Sequence, residues 1–160
     1  MDEVSTKAVM EAAHQQKKFL DSADPTTAFI ETIQTMMSSG IAHFRTKSGG
    51  IPREAERFGW TKTDVAGEMP TWKPQGPRLG WVDLDDDYLL LDPSSLVLVK
   101  KWSGGRLPTT PQTLLKRLKD DGLLARTDDA RDRNTVRMTL EGHPHNVIVL
   151  DLSQFFPEED

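Results

Sequence analysis

Cysteine is absent from all 160 residues, which excludes disulfide bridges, thiolate nucleophiles, cysteine-ligated zinc and Fe–S clusters. Four separated histidines and many carboxylates leave only a histidine/carboxylate metal site open. No run of about twenty apolar residues occurs, and the N-terminus lacks a basic start followed by an apolar signal segment. These absences point to a soluble cytoplasmic chain with no membrane partner. A Gly-rich loop ending in Lys-Ser or Lys-Thr is also missing, and Ser48-Gly49-Gly50 and Ser103-Gly104-Gly105 read as turns. No nucleotide or other cofactor is therefore expected. There is no internal repeat or heptad array, and 36% hydrophobic residues in 160 support one modest core rather than two.

What the chain does have is charge of unequal distribution beneath a formal net charge of -5. Residues 1–99 carry ten basic and fifteen acidic side chains, residues 100–140 carry ten basic and five acidic, and residues 141–160 carry five acidic and no Lys or Arg. The middle section is thus locally positive by five, a phosphate-facing surface if its cations converge and an ordinary solvated surface if they do not.

Along the chain the patterns change from helical to extended. Residues 5–20 hold Val4, Ala8, Val9, Ala12, Ala13, Phe19 and Leu20 on or beside a possible accessory helix. A stronger helix start follows at Asp24-Pro25, a capping carboxylate before a proline suited to the first helical position, with Phe29, Ile30, Ile33, Met36 and Met37 as its apolar face and Gly40 as its stop. Residues 41–45 read as a short strand; its His43, like His14, has no sequence partner and is expected to be structural or surface-exposed rather than catalytic. The Gly/Pro-rich stretch that follows is expected to be a long irregular connector. Its Trp60 and Trp72 either stack on an unpaired base beside Lys73 or Arg78, or, together with Trp81, pack that connector against a sheet.

Residues 79–84 and 88–91 alternate like strands around the acidic turn Asp85-Asp86-Asp87, which is either a solvated turn or a weak magnesium candidate. Asp92-Pro93 starts a short helix with Leu96, Val97, Val99 and Trp102 expected on a buried stripe before Gly104-Gly105. Residues 111–121 form the next helix, with Leu114, Leu115 and Leu118 facing inward and Gly122 as the stop. Residues 123–127 enter a strand, residues 135–140 place Val136, Met138 and Leu140 on one face and Arg137 on the other, and residues 141–144 turn the chain into a last strand over 146–152. The inner face of this hairpin is expected to close over the preceding helix. The order of elements predicts an α+β fold, a winged-helix-like domain with an N-terminal helical extension and antiparallel hairpins. The expected organisation is an accessory helix over 1–23, the winged-helix-like domain with its inserted connector over 24–152, and an acidic tail over 153–160.

Several stretches carry a more specific likeness: Asp24-Pro25 with its apolar helix, Pro74-Gln75-Gly76-Pro77-Arg78-Leu79-Gly80-Trp81-Val82-Asp83, Tyr88-Leu89-Leu90-Leu91-Asp92-Pro93, Thr113-Leu114-Leu115-Lys116-Arg117-Leu118, Gly122-Leu123-Leu124-Ala125-Arg126-Thr127-Asp128 and Thr135-Val136-Arg137. Through these, most of residues 24–152 resembles the C-terminal accessory region of bacterial and phage-like DNA primase/helicase or bifunctional primase/polymerase-associated proteins. The resemblance implies an accessory role in DNA replication or mobile-element DNA processing, with a primase or helicase as partner and a homodimer as a further possibility. The larger proteins carry their chemistry elsewhere, so no catalytic residues are expected here.

On this reading DNA is contacted by Gln112, Thr113, Lys116, Arg117 and Lys119 on the helix, and by Arg126, Arg131, Arg133 and Arg137 towards the wing. The lysines and arginines suit phosphates, and Gln112 or Arg117 suits a base edge. The competing expectation is an adaptor that docks a primase or helicase through acidic and aromatic surfaces.

Overall fold

The computed structural model describes residues 24–156, and the predicted accessory helix over 5–20 lies outside them. Among the described residues no helix is long and apolar enough to cross a membrane. Helix α1 (Pro25–Ser38) starts where its sequence demands: the Asp24 carboxylate accepts the Thr27 backbone N–H and Pro25 occupies the first turn. Its Phe29, Ile33 and Met36 are fully buried.

Strand β1 (His43–Thr46) then runs parallel to β4 (Arg78–Asp83). Parallel neighbours need a crossover, which explains the long insertion between them. That insertion is more ordered than its Gly/Pro content suggests. After a 3₁₀ turn at Ala55–Phe58 it forms an antiparallel ribbon, β2 (Trp60–Thr63) paired with β3 (Thr71–Pro74), in place of the expected irregular connector. Trp60 is buried at the ribbon's base, where its indole N–H donates to the Phe44 carbonyl at 2.8 Å, so Trp60 is removed from the candidates for base stacking. The base is closed by two glycines. Gly59 (φ +87°) and Gly76 (φ +66°) sit so close to the Ala42 and Ile41 carbonyls that an added Cβ would lie 2.0 and 1.8 Å from those oxygens.

β4 turns through Asp85-Asp86-Asp87 into β5 (Tyr88–Leu91), and β5 pairs with the second half of β8 (His143–Asp151). Helix α2 (Leu96–Trp102), helix α3 (Pro111–Asp120), β6 (Leu124–Arg126) and β7 (Val136–Leu140) come between them in sequence. The sheet order is β1-β4-β5-β8-β6, with β7 also paired to β8. The fold is thus mixed α+β with three helices and antiparallel hairpins among the described residues.

Strand alternation gives each face of this sheet its own core. One face, with Val82, Leu89, Leu91, Ile148 and Leu150, packs on α1, α2 and α3 through Phe29, Ile33, Val99, Leu114 and Leu118. The other, with Trp81, Leu90, Val147 and Val149, is covered by Val136 and Leu140 of the β7–β8 hairpin. The predicted facing of Val136, Met138 and Leu140 is right, but they close over the sheet rather than over the preceding helix. The helices already occupy the opposite face, and β8 begins three residues earlier than expected, at His143, which lengthens the hairpin enough to reach. The Glu141-Gly142 turn between them has φ +51° and +82°, the left-handed pair that suits a two-residue hairpin.

The buried-stripe expectation for α2 holds only in part. Leu96 and Val99 are buried, whereas Val97 is 77% and Trp102 49% exposed. A helix of seven residues has under two turns and offers one narrow inward face, which positions 96 and 99 fill. At the other end of the chain Phe155 is 1% exposed within the main core, so the packed region runs into the segment read as an acidic tail.

Replacing Gly59 with Ala should destabilise the domain by more than about 1 kcal/mol, because the new methyl meets a backbone carbonyl in a left-handed conformation. Replacing Gly67, at the ribbon's tip, meets no atom within 4 Å and should cost less in the same urea unfolding comparison.

Candidate nucleic-acid interface

Helix α3 is the amphipathic element that the sequence promises. Thr110 caps it by accepting the Thr113 backbone N–H, Pro111 fills the first turn, and Leu114 and Leu118 bury one side. Gln112, Thr113, Lys116, Arg117 and Lys119 are all exposed. They are not equally available for a ligand. The Thr113 hydroxyl receives a hydrogen bond from the Thr110 hydroxyl at 2.8 Å and so belongs to the cap. Arg117 reaches back to Asp24 at 2.7 Å and across to Asp121 at 3.1 Å, and Asp121 is in turn held by the Thr26 hydroxyl. These carboxylates raise the Arg117 pKa, Asp121 foremost, and the Thr26 hydroxyl helps to hold the Asp121 carboxyl below its ordinary value. Arg117 therefore locks α3 to the start of α1. Lys119 lies 3.7 Å from Asp129, which ties α3 to the loop after β6.

The remaining basic candidates have no ion-pair partner among the described residues: Lys116 on α3, Arg126 on β6, Arg131 and Arg133 in the following loop, and Arg137 on β7. All five are exposed. Pairing fixes the first and the last of these four arginines against the same strand. β6 and β7 both run antiparallel to β8, with Arg126 opposite Val149 and Arg137 opposite Asn146. The intervening loop is closed by a bridge between Asp128 and Arg133, whose backbone groups exchange bonds of 2.9 Å in both directions. Asp128, Asp129 and Asp132 share this loop, so its charge is mixed rather than uniformly positive.

On the far side of the sheet, residues that sequence spacing could not connect form a second polar cluster. β4 carries one extra residue against β1, since His43 faces Arg78 while Phe44 faces Gly80. The bulge brings Arg78 to the Trp81 face, where its guanidinium lies 4.2 Å from the indole ring centroid. Arg78 contacts Asp92 at 3.3 Å and Glu141 at 3.0 Å, and the Trp81 indole N–H donates to the same Glu141 oxygen at 2.8 Å. That indole bond is the main cause holding the Glu141 carboxyl below its ordinary value; burial opposes it and Arg78 adds to it. Lys47 and buried Asp83 pair at 2.9 Å nearby. Every charge in this cluster is engaged with a neighbour, so its role is to hold the hairpin down.

His43 belongs to the same assembly and is 2% exposed. Arg45 donates through Nε to His43 Nε2 at 3.0 Å, so the proton of the neutral ring sits on Nδ1, which faces the Gln75 and Gly76 carbonyls at 3.2 and 3.1 Å. Burial pushes its pKa below 6.5; the two carbonyls oppose this, and the positive charges of Arg45 and Arg78 reinforce it. The unfolded chain then binds a proton at this site more readily than the native one. Stability is expected to be fully present above about pH 6.5 and to decline as pH falls through the depressed native value. A pH series of denaturant unfolding checks this: His43→Gln should flatten the slope below about pH 6.5, and an unchanged slope would assign it to other groups.

The sequence reading missed Val97 and Trp102 as surface residues, together with Lys100 and Lys101 between them. The available signal was the shortness of the segment between Pro93 and Gly104. No protein-family model, curated protein or solved structure matches this chain.

Proposed function

We propose that residues 24–156 form a non-catalytic, DNA-contacting accessory module of winged-helix type, acting in DNA replication or mobile-element DNA processing. The observation that carries this reading is the set of Lys116, Arg126, Arg131, Arg133 and Arg137, exposed and without ion-pair partners among the described residues, on α3, on β6, in the loop after it and on β7. In this reading α3 lies against duplex DNA and the β6–β7 segment serves as the wing. The Lys119–Asp129 contact sets the spacing between the two.

Lys116 and the four arginines neutralise phosphates, and Gln112 is the side chain of α3 best suited to a base edge, since it is exposed and makes no side-chain bond among the described residues. Arg117, Lys119 and Thr113 keep the interface in shape through their internal partners. The resemblance of the sequence to primase/helicase accessory regions supports a primase or helicase as the neighbour that supplies catalysis.

Affinity for a 20-base-pair duplex, measured across a salt series, tests the reading. Wild-type binding should weaken steeply with salt, and each of Lys116→Ala and Arg137→Ala should reduce the slope of log K against log[salt] by about 1. Arg117→Ala should instead lower thermal stability, since it unfastens α3 from α1. Absence of duplex binding at low salt, or slopes unaltered by both substitutions in folded protein, would overturn the assignment.

A further inference from the structure

Of the two tryptophans in the insertion, Trp60 is buried, whereas Trp72 on β3 is half-buried and packs against the main core. Trp72 also walls a cavity of about 470 Å³ together with Arg53, Glu54, Glu56 and Arg57 from the segment before β2. That volume lies within the range of about 300 to 1,000 Å³ that small-molecule pockets occupy. The cavity shares no residue with α3 or with the β6–β7 segment.

The four charges in its walls are not equivalent. Glu54 and Arg57 pair at 3.5 Å, and the Arg57 guanidinium lies 5.0 Å from the centroid of the Phe156 ring, so both are committed to the fold. Glu56 is exposed and has no ion-pair partner among the described residues. Arg53 meets Asp85 at 3.8 Å with both side chains largely exposed, a contact that water screens. Arg53 also lines an adjoining cavity of about 420 Å³, which the Thr46 and Ser48 hydroxyls share.

An indole, an uncommitted carboxylate and a weakly held guanidinium therefore border one cavity. Charges of both signs disfavour a simple anion or a simple cation there. They suit a ligand with hydrogen-bond donors at one end and negative charge at the other. An indole face takes any flat base. A carboxylate only accepts hydrogen bonds, so it matches the adjacent N1–H and N2–H donors on the guanine edge and repels the N1 acceptor of adenine. A guanidinium suits phosphate.

We propose that this cavity binds a guanine nucleotide, with the base stacked on Trp72, its donor edge on the Glu56 carboxylate and its phosphate on Arg53 in place of Asp85. The adjoining cavity receives what is joined to that phosphate, either the further phosphates of a free nucleotide or the next unit of a single strand. This site stands independently of duplex binding by α3 and the wing.

Calorimetric titration of the whole chain with GMP, AMP and guanosine tests it. GMP should bind, with AMP weaker by about tenfold or more. Glu56→Gln should erase most of that preference. Arg53→Ala should weaken GMP while leaving guanosine unchanged. Trp72→Ala should cost about tenfold or more for GMP, and Trp72→Phe should restore most of it. Arg53 and Glu56 lie on the surface, so their variants read the site even where Trp72→Ala unfolds. No GMP binding at millimolar concentration, equal affinities for GMP and AMP, or a preference unchanged in folded Glu56→Gln would overturn the proposal. An oligothymidine with one central guanine distinguishes the two sources. Affinity above that of GMP, lost when the guanine is replaced by adenine, assigns the site to a single strand; affinity no higher than that of GMP assigns it to the free nucleotide. GMP binding without any duplex binding would sink the reading of α3 and the wing while sustaining this one.

Discussion

One carboxylate lets a single sheet be buried on both faces. Glu141 sits in a left-handed turn at the tip of the β7–β8 hairpin, bonded to the Trp81 indole and paired with Arg78, while its backbone N–H reaches the Lys47 carbonyl at 2.7 Å. Two groups from β4, about 60 residues earlier in the chain, and the Lys47 carbonyl just after β1, earlier still, thus hold the tip of this element. Without that anchorage Trp81 and Leu90 would face water on a sheet whose other side is already packed against three helices. The arrangement depends on the β4 bulge, because only the extra residue brings Arg78 round to the Trp81 face.

The same economy of charge governs α3. A positive section was plain in the sequence, yet the structure spends part of it internally, with Arg117 between Asp24 and Asp121 and Lys119 towards Asp129. Exposed ion pairs of this kind add little to stability individually, but here they fix the relation of α3 to α1 and to the next loop. The cations left over, rather than the sum of all cations, define the surface available to phosphate.

The start of α1 was legible because its determinants are local: Asp24-Pro25 contains the cap and the proline that act within three residues, and the cap bond forms. Asp92 also makes its cap bond, but to a 3₁₀ turn at Pro93–Ser95, and α2 begins only at Leu96 without a side-chain cap. The strand faces of β7 and β8 were legible for the same reason, since alternation is a property of neighbours. The ribbon over residues 60–74 was not, because its ends are held by Gly59 and Gly76 against the carbonyls of Ala42 and Ile41, contacts invisible to spacing. Nor was the exposure of Val97 and Trp102, since an apolar residue in a short helix reads alike whether the core has room for it or not. The Arg78–Trp81–Glu141 group was hidden by both separation and the bulge, which breaks the two-residue rule where it matters.

β6 and β7 pair with successive stretches of β8, with residues 127–135 looped out between them. Both stems of the loop are therefore fastened independently, and the Asp128–Arg133 bridge closes it from within. The closure entropy of such a loop grows only slowly with its length. Its reach and charge can drift through insertion or replacement while the register on either side stays fixed, so the scaffold can be retuned towards a different target at this one place without re-solving its folding problem.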